Sequence, residues 1–183
     1  MEDDEIRAAL RRGDDNGAFR LLLRTHGPVV YSVCCRILRD ATAAQDMVQQ
    51  AMIAAFNNRR KLLAIDQIRG WLIRVATRKC LDALRSSKRT DRLHRDVADG
   101  DAPDRSSVLD QLATTEERRA LEECLAALPP DVVAAVLLRY YEGMSWAQIA
   151  EAVDMPLDTI RMRVKRGALK SLRDCLAAKE AAP

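Results

Sequence analysis

Residues 141–166 read YEGMSWAQIAEAVDMPLDTIRMRVKR, and this stretch has the pattern of two short helices joined by a tight turn. Gly143 suits the left-handed conformation that ends a helix, and Ser145 with Gln148 has the spacing of a capping box that begins the next one. Apolar residues then recur at the spacing of one buried helical face: Trp146, Ile149, Ala150 and Val153. Pro156 favours the start of a further helix. The stretch therefore predicts a helix-turn-helix, a motif with which proteins read the major groove of DNA.

The helix that follows this turn is rich in basic residues, and helical phase divides them into two groups. If Ile160 and Val164 are buried and each residue advances by about 100°, the outward face near the helix start carries Asp158, Arg161, Met162 and Lys165. We expect this face to enter the groove, with Arg161 in bidentate contact with guanine and Met162 against a thymine methyl. Three residues to one side are expected to hold phosphates: Thr159, Arg163 and Arg166. For Arg163 the alternative is an ion pair inside the domain.

Four segments of the second half share a residue pattern with one protein family: 128–130 (LPP), 137–143 (LLRYYEG), 149–152 (IAEA) and 159–166 (TIRMRVKR). In this order and spacing they resemble region 4 of the extracytoplasmic-function (ECF) group of bacterial sigma factors. Asp154 stands where a turn glycine is common in that group, but aspartate tolerates the left-handed conformation that the turn needs. The resemblance implies that the helix-turn-helix binds the minus-thirty-five element of a promoter.

The first half independently resembles region 2 of the same group. Residues 44–50 (AQDMVQQ) are similar to the segment that binds core RNA polymerase. Residues 71–76 (WLIRVA), together with Asp82 and Arg85, are similar to the segment that binds the minus-ten element. The loop at residues 62–69 corresponds to the loop that captures a flipped promoter base in this group.

The helix predicted over residues 43–58 has an apolar stripe and a mixed surface. The stripe that we expect to be buried consists of Met47, Val48, Ala51, Met52, Ala55 and Phe56. The residues on other faces are expected to bind core polymerase: Asp46, Gln49, Gln50 and Ile53. Ile53 is an apolar residue among polar ones, which is typical of the centre of an interface.

A further helix, predicted from residue 70 to about 88, separates an apolar stripe from a basic side. The stripe consists of Trp71, Leu72, Val75, Ala76, Cys80, Ala83 and Leu84. Thr77 is expected outside it, beside the basic residues that we expect to contact promoter DNA: Arg74, Arg78, Lys79, Arg85, Lys88 and Arg89. Trp71 begins the apolar stripe, so a core position is favoured over the alternative role of a wedge that holds melted DNA open. Arg78 stands where an asparagine is common in the ECF group, which bears on the preferred minus-ten sequence.

The formal net charge of +3 hides an acidic middle, because residues 90–117 carry 3 basic and 8 acidic side chains. Few apolar residues and no sustained helical period there predict a flexible linker. This linker would join a region 2-like domain, residues 1–89, to a region 4-like domain, residues 118–183. The alternative, implied by the resemblance, is an acidic strand that mimics nucleic acid inside the polymerase cleft.

Length and composition favour an all-α protein of two small helical domains. The chain has 183 residues, only 4% of them aromatic, and no pattern typical of a strand. In the first domain we predict helices over residues 6–12, 16–25, 29–38, 43–58 and about 70–88. In the second, Leu169, Leu172 and Leu176 form a stripe on the side opposite Ile160 and Val164. We expect the helix over residues 115–128 to cover that stripe, and a partner protein is the alternative.

The sequence lacks the motifs that are typical of enzymes, metal-binding proteins, membrane proteins and secreted proteins. There is no Gly-rich phosphate loop, nucleophile–base pair or metal-ligand cluster, so we expect no catalysis, cofactor or metal site. The longest apolar run, residues 132–138, is too short for a bilayer, and the start MEDDE lacks the basic residues of a secretion signal. A cytoplasmic protein with no membrane insertion is therefore expected.

The five cysteines lack C-x-x-C spacing and are expected to be structural thiols, with redox sensing as the alternative. His26 and His94 lie far from any convincing partner.

The resemblance implies an alternative sigma factor whose partners are core RNA polymerase, promoter DNA and an anti-sigma factor. Two other classes of protein fit parts of the pattern. A helix-turn-helix regulator acting at operators would need a dimerisation or ligand-sensing domain, whereas the first half carries the pattern of Asp46 and Gln49. A helical adaptor that binds only proteins would not need a basic helix after the turn.

Overall fold

The computed structural model describes residues 2–91 and 115–180, and every regular element in those ranges is a helix. The chain divides into two compact units, Met1–Pro103 and Asp104–Pro183. The predicted all-α class with two helical domains is thereby confirmed. The division falls within the stretch 90–117 that is predicted as a linker, most of which, residues 92–114, lies outside the described residues.

Unit 1 contains, within its described residues, the helices α1 (Glu2–Arg11), α2 (Asp15–Leu38), α3 (Ala41–Asn57), α4 (Arg59–Leu62) and α5 (Ile68–Asp91). Aspartates begin two of them: Asp14 accepts a hydrogen bond from the Gly17 amide at 2.8 Å, and Asp40 from the Ala43 amide at 3.0 Å. These caps satisfy backbone donors that no helical carbonyl reaches. Helix α2 packs on α1, α3 and α5, and α3 also packs on α5. The core between them includes Val30, Val33, Ala51, Leu72, Ile73 and Ala76.

The prediction of separate helices over residues 16–25 and 29–38 is wrong, because α2 runs unbroken through Pro28. A proline inside a helix removes one hydrogen bond and costs about 3 kcal/mol. Pro28 is exposed, however, while Leu22, Val30 and Val33 of the same helix are buried in the core. Burial of that apolar face outweighs the local cost of the proline, since tertiary packing supplies most helical stability.

The residues that are buried on α3 and α5 differ from the apolar stripes predicted for these two helices. Thr77, predicted to lie outside, is completely buried, as is Ile73, whereas Trp71 is only half-buried. Phe56, predicted to be buried, is 43% exposed. Each of these helices packs on α2 and on the other, so burial follows the position of two neighbours. The periodicity of a single helix does not contain that information.

Unit 2 contains, within its described residues, α6 (Thr115–Ala126), α7 (Pro130–Val136), α8 (Trp146–Val153), α9 (Leu157–Met162) and α10 (Leu169–Glu180). Two π-helical segments continue these helices: Leu137–Tyr141 follows α7, and Arg163–Ala168 joins α9 to α10. The boundaries predicted for the helix-turn-helix are confirmed, whereas the helix predicted over residues 115–128 ends at Ala126. Gly143 has a φ of +67° and Asp154 a φ of +55°, and Ser145 with Gln148 forms the capping box.

Helix α6 packs on α10, as predicted from the sequence, and of the three leucines in the stripe Leu172 is buried while Leu169 and Leu176 are half-buried. Leu172 is 8% exposed, while Ile160 and Val164 of the same continuous helix are completely buried. The π-helical segment lies between Ile160 and Leu172, so the opposite directions predicted from a uniform helical step do not hold across it. A π-helical turn contains extra backbone, so it shifts the helical phase that a uniform step of about 100° would carry through.

The prediction that all five cysteines are thiols is wrong for two of them. Cys124 of α6 and Cys175 of α10 form a disulfide, with Cα atoms 5.9 Å apart. The two residues are 51 positions apart in sequence, so no local spacing indicates the pair. Lys179 of α10 also pairs with Glu123 of α6, and its hydrogen bond lowers the pKa of that carboxyl.

The other three cysteines, Cys34, Cys35 and Cys80, are buried free thiols of unit 1. A hydrogen bond to Cys80, together with burial, raises the pKa of the Cys34 thiol. A raised pKa disfavours the reactive thiolate, which agrees with the structural role predicted for Cys34.

Candidate functional site

The second helix of the helix-turn-helix, called here the reading helix, comprises α9 and its π-helical continuation, residues 157–168. Ile160 and Val164 are completely buried and fix its orientation on the core. All but one of the predicted DNA contacts on this helix are exposed: Asp158, Thr159, Arg161, Met162, Lys165 and Arg166. The exposed surface therefore combines cations with an apolar side chain, as contact with phosphates and base edges requires.

Arg163 is the exception on the reading helix. Its guanidinium pairs with both carboxylate oxygens of Asp131 in α7, and Nη2 lies 3.5 Å from Oδ1. Nη1 also lies 3.5 Å from the sulfur of Met155, which is in the turn. The ion pair inside the domain, the alternative offered by the sequence, is thus present. It ties the reading helix to α7 and to the turn.

The turn that leads into α8 is held by Arg139. Its Nη1 donates a hydrogen bond to the Met144 carbonyl at 2.8 Å, and its guanidinium lies 5.5 Å from the centre of the Trp146 ring. A cation over an indole face is a favourable arrangement. Arg139 therefore fixes the π-helical continuation of α7 to α8, the first helix of the motif, and the sequence pattern gives no sign of this role.

The basic side of α5 is partly solvent-exposed. Arg78 and Arg85 are exposed, and Arg74 and Lys79 are half-buried. Arg85 pairs with Asp82 at 3.3 Å. The remaining predicted DNA contacts, Lys88 and Arg89, lie on the last turns of α5, but their side chains are outside the described part of the structure.

The four predicted polymerase contacts of α3 are all exposed: Asp46, Gln49, Gln50 and Ile53. Ile53 is the apolar residue among these four, and it is 58% exposed to water. Gln50 accepts a hydrogen bond from Lys79 of α5 at 3.1 Å. The predicted polymerase face and the predicted DNA face of unit 1 are therefore adjacent.

An aromatic cluster continues the α3 face beyond Ile53. Phe56 meets Phe19 of α2 edge to face, with ring centroids 6.4 Å apart. The Arg59 guanidinium lies 5.1 Å from the Phe56 ring centre and pairs with Asp15 at 2.9 Å. Sequence reasoning missed this cluster because Phe56 falls within the apolar stripe of α3.

Helix α1 holds the loop that precedes α5, a contact that the sequence does not indicate. Arg7 Nη2 donates hydrogen bonds to the carbonyls of Ile65, at 2.6 Å, and Asp66, at 2.9 Å. Asp3 accepts a hydrogen bond from the Ile68 amide at 3.0 Å and another from His26 Nε2 at 2.8 Å. The expectation that His26 has no convincing partner is therefore wrong, since its partner comes from a different helix.

These features define a class of protein. A capped helix-turn-helix with an exposed basic reading helix, and a separate helical unit with a basic helix of its own, are typical of a transcription factor that binds DNA at two places. In the described ranges 2–91 and 115–180, no group of three or more His, Cys, Asp or Glu side chains is placed to hold a metal ion. The same ranges contain no helix that is long and apolar enough to cross a membrane.

Comparison with known proteins specifies the family. Residues 22–90 match Sigma-70 region 2, and residues 118–170 match Sigma-70, region 4. The chain is 30% identical over 181 residues to the ECF RNA polymerase sigma factor SigK of Mycobacterium tuberculosis H37Rv, covering 94% of each chain. It is 28% identical over 181 residues to the ECF sigma factor SigW of Bacillus subtilis, covering 90% of this chain and 94% of SigW.

A solved structure shows the same fold. The sigma factor RpoE of Bartonella quintana, crystallised with the anti-sigma factor NepR, superposes with a TM-score of 0.66 at 19% identity, covering 87% of this chain and 96% of RpoE. The chain belongs to the ECF group of RNA polymerase sigma factors. It functions as an alternative sigma factor in transcription initiation, and the operator-binding regulator is not favoured.

Proposed function

We propose that the chain divides the work of a sigma factor among three surfaces. The first is the exposed face of α3, which we assign to core RNA polymerase through Asp46, Gln49, Gln50 and Ile53. Support comes from the exposure of all four side chains and from the isoleucine among polar residues. Such an apolar centre with a polar surround is the usual anatomy of a protein interface.

The second surface binds the minus-ten element and consists of α5 with the loop over residues 63–67. Its basic residues are Arg74, Arg78, Lys79, Arg85, Lys88 and Arg89. Cations on one side of a helix attract the phosphate backbone and release its counterions. The loop supplies exposed side chains, among them Leu63 and Gln67, at the start of this basic helix.

The third surface, the reading helix, binds the minus-thirty-five element. Arg161 reads a guanine and Met162 packs on a thymine methyl, with Asp158 and Lys165 on the same outward face. Thr159 and Arg166 hold phosphates, which positions the helix without specifying the sequence. Arg163 is engaged by Asp131 and serves in this scheme to orient the helix.

Three broader assignments follow from membership of this family. The chain acts in the cytoplasm, where RNA polymerase and the chromosome are, and it carries no catalytic activity of its own. Its partners are core RNA polymerase, promoter DNA and an anti-sigma factor. The last is supported by RpoE of Bartonella quintana, which was crystallised with the anti-sigma factor NepR. An inhibitor of this kind would have to cover the polymerase face or one of the two DNA faces.

The observation that carries the proposal is the exposure of Arg161 and Met162 on a helix whose Ile160 and Val164 are buried. The test is run-off transcription from a genomic promoter library with core polymerase, with and without this protein. We expect a small set of transcripts that depends on the protein and is lost in Arg161→Ala. Lys170→Ala is the matched control, because Lys170 is an exposed cation of α10 outside the assigned surfaces. Equal transcripts with and without the protein would contradict the proposal.

A further inference from the structure

The loop over residues 63–67 is fixed through its backbone. Arg7 binds two of its carbonyls, and Asp3 binds the amide of Ile68, the first residue of α5. The partners are 58, 59 and 65 positions apart in sequence, so these bonds join α1 to a distant segment. Asp3 and Arg7 are four residues apart on α1 and therefore lie on the same helical face. Together they form a brace between α1 and the loop.

The brace is partly shielded from water, because the hydrogen bonds to Ile65 and from Ile68 are part-buried, whereas the one to Asp66 is exposed. The Arg7 side chain is 14% exposed, and the His26 side chain that donates to Asp3 is 6% exposed. Hydrogen bonds with one charged partner are stronger than neutral ones, and a low local dielectric strengthens them further. A carboxylate at a helix N-terminus is also favourable, because it meets amides that lack a helical partner.

The side chains of the loop, unlike its backbone, are free to contact a ligand. Leu63, Ala64, Asp66 and Gln67 are exposed, although the carbonyls of residues 65 and 66 are bound. Two exposed cations, Arg60 and Lys61, lie in α4, which precedes the loop. The loop therefore has a fixed path, open side chains and a positive approach, an arrangement suited to reading unpaired bases beside a phosphate backbone.

We propose that Asp3 and Arg7 are positioning residues for recognition of the minus-ten element. They hold the loop in the geometry in which its side chains meet the DNA, so that binding does not have to order the loop. The inference rests on the proposed function, in which this loop contacts the minus-ten element. Neither residue touches DNA in this scheme, and both act through the backbone of the loop.

The test uses the full chain assembled with core polymerase on a promoter obtained from the run-off library. Single-base changes are made in the minus-ten and minus-thirty-five elements, and binding is measured for each. In Arg7→Met, we expect discrimination between bases at the minus-ten element to fall about tenfold, or about 1.4 kcal/mol. Discrimination at the minus-thirty-five element is expected to stay unchanged. Arg7→Lys should restore part of the loss, because an ammonium group can still donate to a carbonyl.

Amide hydrogen exchange measures the brace itself. We expect the Ile68 amide to exchange faster in Asp3→Ala, and the loop amides to exchange faster in Arg7→Met. The matched controls are Glu5→Ala and Arg11→Met, which remove the same charges from exposed positions of α1. Both controls should retain the exchange pattern and the base discrimination of the unmodified protein.

Two results would overturn the inference. One is minus-ten discrimination within about twofold of the unmodified protein in both Arg7→Met and Asp3→Ala. The other is an equal loss at both promoter elements, which indicates general destabilisation. Leu63→Ala and Gln67→Ala separate the inference from the proposed function. If they alter minus-ten discrimination and Arg7→Met does not, only the brace is wrong. If they do not alter it, the assigned role of the loop is wrong as well.

Discussion

Removing the disulfide between α6 and α10 should strongly destabilise unit 2. Cys124 and Cys175 close a loop of 51 residues. The chain-entropy relation for a loop of this size gives about 4 kcal/mol of stabilisation, through restriction of the unfolded chain. With a urea m-value of about 1–3 kcal/mol/M, the unfolding midpoint should fall by about 1.3–4 M. Cys175→Ser is the better variant, because Cys175 is half-buried whereas Cys124 is 2% exposed.

The assay can report on unit 2 alone within the full chain. The chain has two tryptophans, one in each unit, so a Trp71→Phe background leaves Trp146 as the fluorescent probe of unit 2. Urea unfolding is then followed with and without reductant. Without reductant, Cys175→Ser should unfold at the lower midpoint. With reductant, the two proteins should coincide, because both then lack the crosslink.

Thiol titration under denaturing conditions provides the control for bond formation. We expect three reactive thiols without reductant and five with it. Five thiols in both conditions would show that Cys124 and Cys175 are not crosslinked, and the stability argument would fail with that result. If, in reductant, the urea midpoint of Cys175→Ser is still lower than that of the unmodified protein, the loss of stability comes from altered packing on α6 and not from the missing crosslink.

Four further outcomes follow from the same geometry. Arg161→Ala should relax the preference for particular base pairs of the minus-thirty-five element, at a cost of about 1–3 kcal/mol in binding free energy. Arg166→Ala should instead weaken binding to all sequences alike and reduce the salt slope by about 1. Binding to single-base promoter variants at several salt concentrations separates the two, and a uniform loss in Arg161→Ala contradicts the assignment. Ile53→Asp should weaken core polymerase binding by about 2 kcal/mol with unchanged circular dichroism; equal pull-down affinity would remove the α3 face from the interface. Leu172→Ala should cost about 2–5 kcal/mol in urea unfolding, because the residue is 8% exposed under α6, and unchanged stability would mean that the site is not core. Gly143→Ala should cost about 1–2 kcal/mol of unfolding free energy, measurable by thermal unfolding, because a residue with a side chain is strained at a φ of +67°. An added Cβ would meet open space, so the loss should come from the backbone conformation alone.

The helix-turn-helix could be predicted from sequence because its determinants are local. A positive-φ glycine, a capping box and a proline each act within a few residues, so Gly143, Ser145 and Pro156 carry their own structural meaning. The exposure of Arg161 and Met162 followed from the burial of two apolar neighbours on one helix. For the same reason the exposure of Asp46, Gln49, Gln50 and Ile53 on α3 could be predicted, although the exposure of Phe56 could not.

The features that escaped prediction depend on contacts between distant residues. The crosslink between Cys124 and Cys175, and the hydrogen bond between Asp3 and His26, join different helices and leave no spacing in the sequence. The π-helical segment after α9 changes the helical phase, which a uniform step cannot anticipate. The break predicted at Pro28 is wrong for the opposite reason. Proline is a strong local signal for the end of a helix, but the packing of α2 overrides it.

The α3 face that we assign to core polymerase and the α5 face that we assign to the minus-ten element share one core, and this has consequences for how they can vary. Helices α3 and α5 pack on each other and both pack on α2. The hydrogen bond from Lys79 to Gln50 joins the two faces at the surface, but exposed contacts of this kind add little stability. The relative position of the faces is therefore set by buried residues of both helices, such as Met52 and Leu72. A substitution in that shared core should disturb polymerase binding and minus-ten recognition together, whereas a substitution on one exposed face should change only one of them.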